Sequence, residues 1–321
     1  MWGIMPKLVF IMPSPAARTG GNKTTCRHVQ ALVEMGYDAV VRILPGQALP
    51  AWFPHDTPSD VWTSSPAPDE VLVISEDATP ILARCAPLPN RKVVHCKNPY
   101  NAAAAGLWQL SAEERSAYRT FIACSDGVAG WIARFFDHDL VATVPTFVDP
   151  ELFKPGEKAR VIACMPRKRR FERAAIQGMF QRLIGERSDW SWDVIDGRTE
   201  AQTAAALSRA AVFLSLARFE GMCTSILEGM ASGCLVAGFT GLGAREYTTS
   251  LNGLWVEEDD CEAAARALAR AVELHEAAGV EAAMMRDAAR RTAASWNEAA
   301  FRDALARFWA EGMGLAPGRS G

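Results

Sequence analysis

The chain has 321 residues, 49% of them hydrophobic and 22% charged. That suits two folded domains and excludes a disordered chain. With a formal net charge of -3, binding to nucleic acid or to an anionic membrane by bulk charge is not expected. The segment Met1 to Lys7 has no basic and apolar leader pattern, and the eight cysteines form no Cys-x-x-Cys pair. A cytoplasmic protein with reduced thiols and no zinc site is therefore expected.

In chain order, an apolar run at 8–12 predicts a strand, followed by a polar, Gly-containing loop at 13–22. Val29, Leu32 and Val33 recur at helical spacing before Gly36, and 39–44 is a second strand. Strand, loop, helix, strand is a βαβ unit and implies a parallel sheet. Residues 45–70 read as irregular. Strands follow at 71–74 and 93–94, helices at 112–119 and 126–136, and a strand around 142–145. Pro145, Pro150, Pro155 and Gly156 mark a linker near 146–156.

The alternation then repeats. Strands are expected at 161–165, 191–195, 212–215 and 234–239, with helices at 171–186, 200–210 and 224–232. An Ala-rich helical stretch covers 262–289. Two Rossmann-like halves with a cleft between them are expected, with ligands outside the carboxyl ends of the strands.

The densest chemistry lies between 215 and 253. Glu220 falls in the loop after a strand, and Glu228 one turn into the next helix. The backbone N–H groups of about 222–225 would open that helix, a geometry suited to phosphate. Glu228 could then accept hydrogen bonds from two ribose hydroxyls. The alternative is structural, with Ser225 and Glu228 forming a Ser-x-x-Glu capping box.

This stretch resembles the signature of the retaining nucleotide-sugar glycosyltransferases of the GT-B fold, family four, also called group one. The shared features are two glutamates separated by seven residues and a helix ending in Ala231-Ser232-Gly233. The turn Gly241-Leu242-Gly243-Ala244-Arg245-Glu246 and Asn252-Gly253 follow. Phe147-Val148-Asp149 with Phe153-Lys154-Pro155, and Ser295-Trp296-Asn297-Glu298, extend the resemblance over most of 146–311.

The resemblance implies an α/β GT-B architecture. Residues 1–147 would be an acceptor-side domain, 148–292 a nucleotide-sugar domain, and 293–321 a helix returning to the first domain. It implies Glu228 as ribose ligand and Glu220 as the carboxylate beside the donor sugar. Gly221, Met222, Cys223, Thr224 and Ser225 would form the diphosphate-binding helix start, and Gly243 would be a further donor-binding position. A basic pair after the first strand of the second domain is also implied. Here Arg167, Lys168, Arg169 and Arg170 are contiguous, and Arg167 with Lys168 is the pair assigned to phosphate, against a merely solvated basic helix start.

In the first half, Gly20-Gly21 fits the family's glycine pair, with a flexible loop as the alternative. His95 and Asn98 sit where relatives place polar active-site residues, His95 being assigned a catalytic part and Asn98 a donor contact. A lone histidine after a strand is otherwise structural. Asp137-His138-Asp139 has the spacing of a metal-binding Asp-x-Asp but follows a helix pattern, and the five histidines lack metal spacing.

The expected activity is retaining, metal-independent transfer from a UDP-, GDP- or dTDP-sugar to a glycan, lipid-linked or small-molecule acceptor in bacterial surface-glycan synthesis. No cofactor is called for, and at most peripheral contact with the inner membrane face. A GT-B epimerase and an inactive binding subunit are the rival readings.

Overall fold

The computed structural model describes residues 6–185 and 189–318. The amino-terminal segment read above for a leader therefore falls largely outside the described residues, as does the last residue of the helix expected at 171–186. Contacts divide the chain into two units, one from the described residues of Met1–Thr146 and Ala299–Gly321, the other from those of Phe147–Glu298.

The first unit contains β1 (Leu8–Met12), α1 (Gly20–Glu34), β2 (Ala39–Ile43), β3 (Ser59–Val61), β4 (Val71–Ser75), α2 (Thr79–Cys85), β5 (Lys92–Cys96), α3 (Pro99–Ala105), α4 (Ala112–Ser116), β6 (Thr120–Ala123), α5 (Asp126–Phe135) and β7 (Leu140–Thr143). Its seven strands are parallel, in the order β3-β2-β1-β4-β5-β6-β7. The order reverses between β1 and β4. All five residues of β1 are buried, as a strand covered on both faces requires.

The second unit contains β8 (Ala159–Cys164), α6 (Arg170–Ile184), β9 (Ser191–Val194), α7 (Glu200–Arg209), β10 (Ala210–Leu216), α8 (Thr224–Ala231), β11 (Leu235–Phe239), β12 (Leu254–Val256), α9 (Cys261–Ala277) and α10 (Val280–Ser295). Its parallel sheet runs β12-β11-β10-β8-β9. Side chains alternate across it. Val161 and Ala163 join one apolar cluster with residues of α7, α8 and α10, while Ile162 and Cys164 join another with α6 and α9.

The last helix, α11 (Glu298–Arg307), belongs with the first unit apart from its opening residue. Phe301 packs edge-on against His28 of α1, with ring centroids 5.1 Å apart, and Arg302 pairs with Glu34 at 2.6 Å. The resemblance implies a helix from 293 onward. It begins later than 293, because α10 continues to Ser295.

Candidate functional site

The site candidates of the second unit converge for a topological reason. β8 and β10 are adjacent parallel strands and flank the point where the strand order reverses. The loops leaving their carboxyl ends therefore meet, the first carrying Lys168 and the second Glu220. The Lys168 ammonium lies 2.9 Å from the Glu220 carboxylate and donates to the Phe219 carbonyl at 2.8 Å. Both side chains are partly exposed, at 29% and 24%.

Beyond Glu220 the chain turns into α8. Its cap residue is Cys223, no side chain caps the helix, and the first turn holds no acid. The first N–H groups thus lack side-chain acceptors, and the positive end of the helix dipole is not offset within its own first turn. The Ser225 hydroxyl instead approaches the Cys223 sulfur at 3.4 Å. A Ser225–Glu228 capping box is therefore not formed, since Ser225 lies inside the helix. Glu228 follows one turn in and is 7% exposed. Burial holds the Cys223 thiol well above its usual pKa, so it is neutral and no nucleophile.

The contiguous basic residues have separate tasks. Arg169 is fully buried, donates to the Ala217 carbonyl at 2.9 Å, pairs with Glu258 and Asp259, and lies over the Phe239 ring. It straps the loops after β8, β10 and β12 together, so its charge is already committed. Arg170 is exposed and pairs with Asp196. Arg167 is exposed and makes no ion pair among the described residues. Lys168 is partly exposed and paired with Glu220, and Arg167 is exposed, so these two differ from the buried Arg169.

Gly243 has a different task from the one expected. A Cβ there would stand 2.7 Å from the Met222 nitrogen and 2.8 Å from the Glu220 carbonyl. The glycine lets the 241–246 turn lie directly on the 220–222 loop, so it shapes that loop from behind. Tyr247 continues this support by donating its hydroxyl to the Cys223 carbonyl at 2.7 Å. Asn252 is buried and bonds to Tyr247, Thr249, Trp255 and Thr292, which makes the Asn-Gly pair structural.

In the first unit the sequence candidates lie at the start of α1 and at the carboxyl end of β5. Gly20 and Gly21 open α1, where the Thr19 hydroxyl accepts from the Asn22 N–H. Asn98 caps α3 by accepting from the Tyr100 N–H at 3.0 Å, an unforeseen structural task. His95 contradicts the catalytic assignment. It is 2% exposed and packs in the core against His28, ring centroids 4.4 Å apart. Neither imidazole has a hydrogen-bond partner among the described residues. Burial and the charge of Lys97 lower both pKa values, that of His28 to about 3, so both rings are neutral.

Sequence reasoning passed over Lys97, which stands between His95 and Asn98 and faces the start of α1; a lysine immediately after a strand at a sheet's carboxyl edge was the available signal. Asp139 of the discarded Asp-x-Asp is held by Arg119 at 2.8 Å. Among the described residues, no group of three or more His, Cys, Asp or Glu side chains is placed to hold a metal, and no helix is long and apolar enough to cross a membrane.

The family model for glycosyl transferases group 1 matches residues 189–273. An alpha-1,6-glucosyltransferase of Actinobacillus pleuropneumoniae is 25% identical over 276 residues, covering 79% of this chain and 80% of the relative. Among solved structures, sucrose-phosphate synthase from Thermosynechococcus elongatus is similar with a TM-score of 0.70 at 13% identity, covering 96% of this chain and 99% of that one. Anabaena Alr3699/HepE in complex with UDP is similar with a TM-score of 0.69 at 13% identity, covering 94% and 98%. The same protein has been solved with UDP-glucose. Motif, family model over residues 189–273 and curated relative make the chain similar to the group 1 glycosyltransferases, and its fold is GT-B.

Proposed function

We propose that the chain is a retaining, metal-independent glycosyltransferase that moves a sugar, with a UDP-sugar as first choice of donor, to an acceptor hydroxyl in surface-glycan synthesis. The observation that carries this reading is the Lys168–Glu220 pair, 2.9 Å apart beside the uncapped start of α8. The Actinobacillus glucosyltransferase and the UDP and UDP-glucose complexes of HepE support the choice of donor.

The reaction breaks the bond from C1 to the diphosphate oxygen and leaves negative charge on the diphosphate. Lys168, Arg167 and the N–H groups at the start of α8 meet that charge as fixed donors. Glu228 accepts from the ribose hydroxyls. Glu220 lies near the cationic C1, and pairing with Lys168 keeps it oriented before the donor arrives. With no enzymic nucleophile required, the acceptor hydroxyl attacks on the face the diphosphate leaves, and its proton passes to the departing phosphate oxygen. The new bond keeps the anomeric configuration.

The test is incubation of the full chain with UDP-, GDP- and dTDP-sugars and candidate glycan acceptors, with and without EDTA. The expected result is nucleotide release unaffected by EDTA and a product of unchanged anomeric configuration by NMR. A new nucleotide sugar without release would indicate epimerisation. Binding without turnover across the panel would indicate an inactive subunit. EDTA inhibition reversed by Mg²⁺ or Mn²⁺ would overturn metal independence.

A further inference from the structure

At the carboxyl ends of β4 and β5, the first unit holds a charge pair that the reading above does not use. Glu76 is 1% exposed. Its carboxylate receives the Ser75 hydroxyl at 3.1 Å and lies 3.4 Å from the Lys97 ammonium. Burial raises the pKa of Glu76 and Lys97 opposes that rise. The Lys97 ammonium also donates to the Ser75 hydroxyl at 3.0 Å and the His95 carbonyl at 3.3 Å, and its side chain keeps 16% exposure.

The lysine stem crosses the opening of α1. A Cβ on Gly21 would stand 3.1 Å from the Lys97 Cε, so this glycine makes room for Lys97. Each part of the arrangement costs stability. A buried carboxylate is desolvated. A cation beside a helix start opposes the dipole, and α1 has no acid in its first turn to compensate. The neutral His28 and His95 beneath offer no countercharge. All of this is built where the strand order reverses between β1 and β4, the usual ligand crevice of an open parallel sheet.

We propose that Lys97 is an oxyanion-binding residue of the first unit, taking a phosphate-type oxygen of donor or acceptor, and that Glu76 is the positioning residue that holds its ammonium at the carboxyl edge. The identity of the two ligands rests on the glycosyltransferase reading.

The test is calorimetry on the full chain with UDP and uridine, and with inorganic phosphate in the absence and presence of saturating UDP. Lys97→Met is compared with Lys97→Gln, which lacks the charge but can still bond to Ser75, and folding is checked by circular dichroism. A tenfold or greater loss of UDP affinity with uridine affinity unchanged assigns Lys97 to the donor phosphates. A similar loss confined to inorganic phosphate assigns it to an anionic acceptor. Glu76→Gln should give a smaller loss of the same affinity, and Lys97→Arg should restore part of it. Affinities within twofold of the parent in both folded Lys97 variants overturn the proposal, as does a parent chain that binds neither UDP nor phosphate. A parent that binds phosphate at Lys97 but not UDP overturns the donor reading alone.

Discussion

At the carboxyl edge of the five-stranded sheet, Lys168 and Glu220 stand partly exposed, in loops strapped by Arg169. Beside the seven-stranded sheet, the histidines and Glu76 lie beneath the surface, and Lys97 keeps partial exposure. The difference lies in what each polar group is left to do. In the second unit one buried cation, Arg169, satisfies the scaffold, while Lys168 pairs with Glu220 at the partly exposed edge. In the first, the buried imidazoles are neutral and unpartnered, so they contribute packing at the expense of hydrogen bonding.

The sharpest way to separate the two regions is pH. His28 and His95 have lowered pKa values in the folded state because of burial, largest first, and then Lys97. The unfolded chain binds their protons near pH 6.5 while the folded chain does not. Stability is therefore intact above about 6.5 and falls as the pH drops towards the folded values. The loss for His28 is about 1.4 kcal/mol per pH unit, and His95 acts in the same direction. Urea titrations at pH 7.5 and 5 should show it, and His28→Phe should reduce the slope. An unchanged slope would remove the buried pair from the account.

Arg169→Met strikes the other region and should cost about 1–3 kcal/mol, because the Ala217 carbonyl loses its donor and the three loops lose their strap. The expected readout is a lowered denaturation midpoint with the His-linked pH slope retained. Lys168→Met should leave folding intact and lower kcat by about 30- to 1000-fold, for one lost donor worth ~2–4 kcal/mol on developing charge. Parent-like kcat would exclude Lys168 from the mechanism. Glu228→Ala should weaken UDP binding at least tenfold, from ~1.5–3 kcal/mol of charged hydrogen bonding. Glu220→Gln should keep that affinity and lose most turnover. Calorimetry and a turnover assay on these two variants distinguish ribose contact from sugar contact.

Legibility from sequence followed burial. The apolar runs that became β1, β4, β10 and β11 were plain, because strands covered on both faces are written as continuous hydrophobic stretches. β3, with sequence Ser-Asp-Val, and the short β12 gave no such signal, and β6 was hidden between two helical patterns. The Ala-rich stretch at 262–289 is two helices, broken where Ala278 adopts a left-handed conformation before Gly279. The spacing of Glu220 and Glu228 was readable because it is local. The division of labour in Arg167–Arg170 was not, since it depends on Glu258 and Asp259 some ninety positions away. His95 misled because a polar residue after a strand reads alike whether it faces solvent or core.

The composition of the first unit sets an order of events during synthesis. The second unit is one continuous stretch with its own two apolar clusters, and it can close as soon as its last helix has emerged. The first unit begins earlier yet must wait, because Phe301 of α11 covers His28 and Trp309 just beyond it covers Phe10 only after residue 309 has left the ribosome. The half made first is thus finished last, against the usual vectorial order of domain folding. Until then a patch of α1 and β1 stays uncovered, open to chaperones in the growing chain.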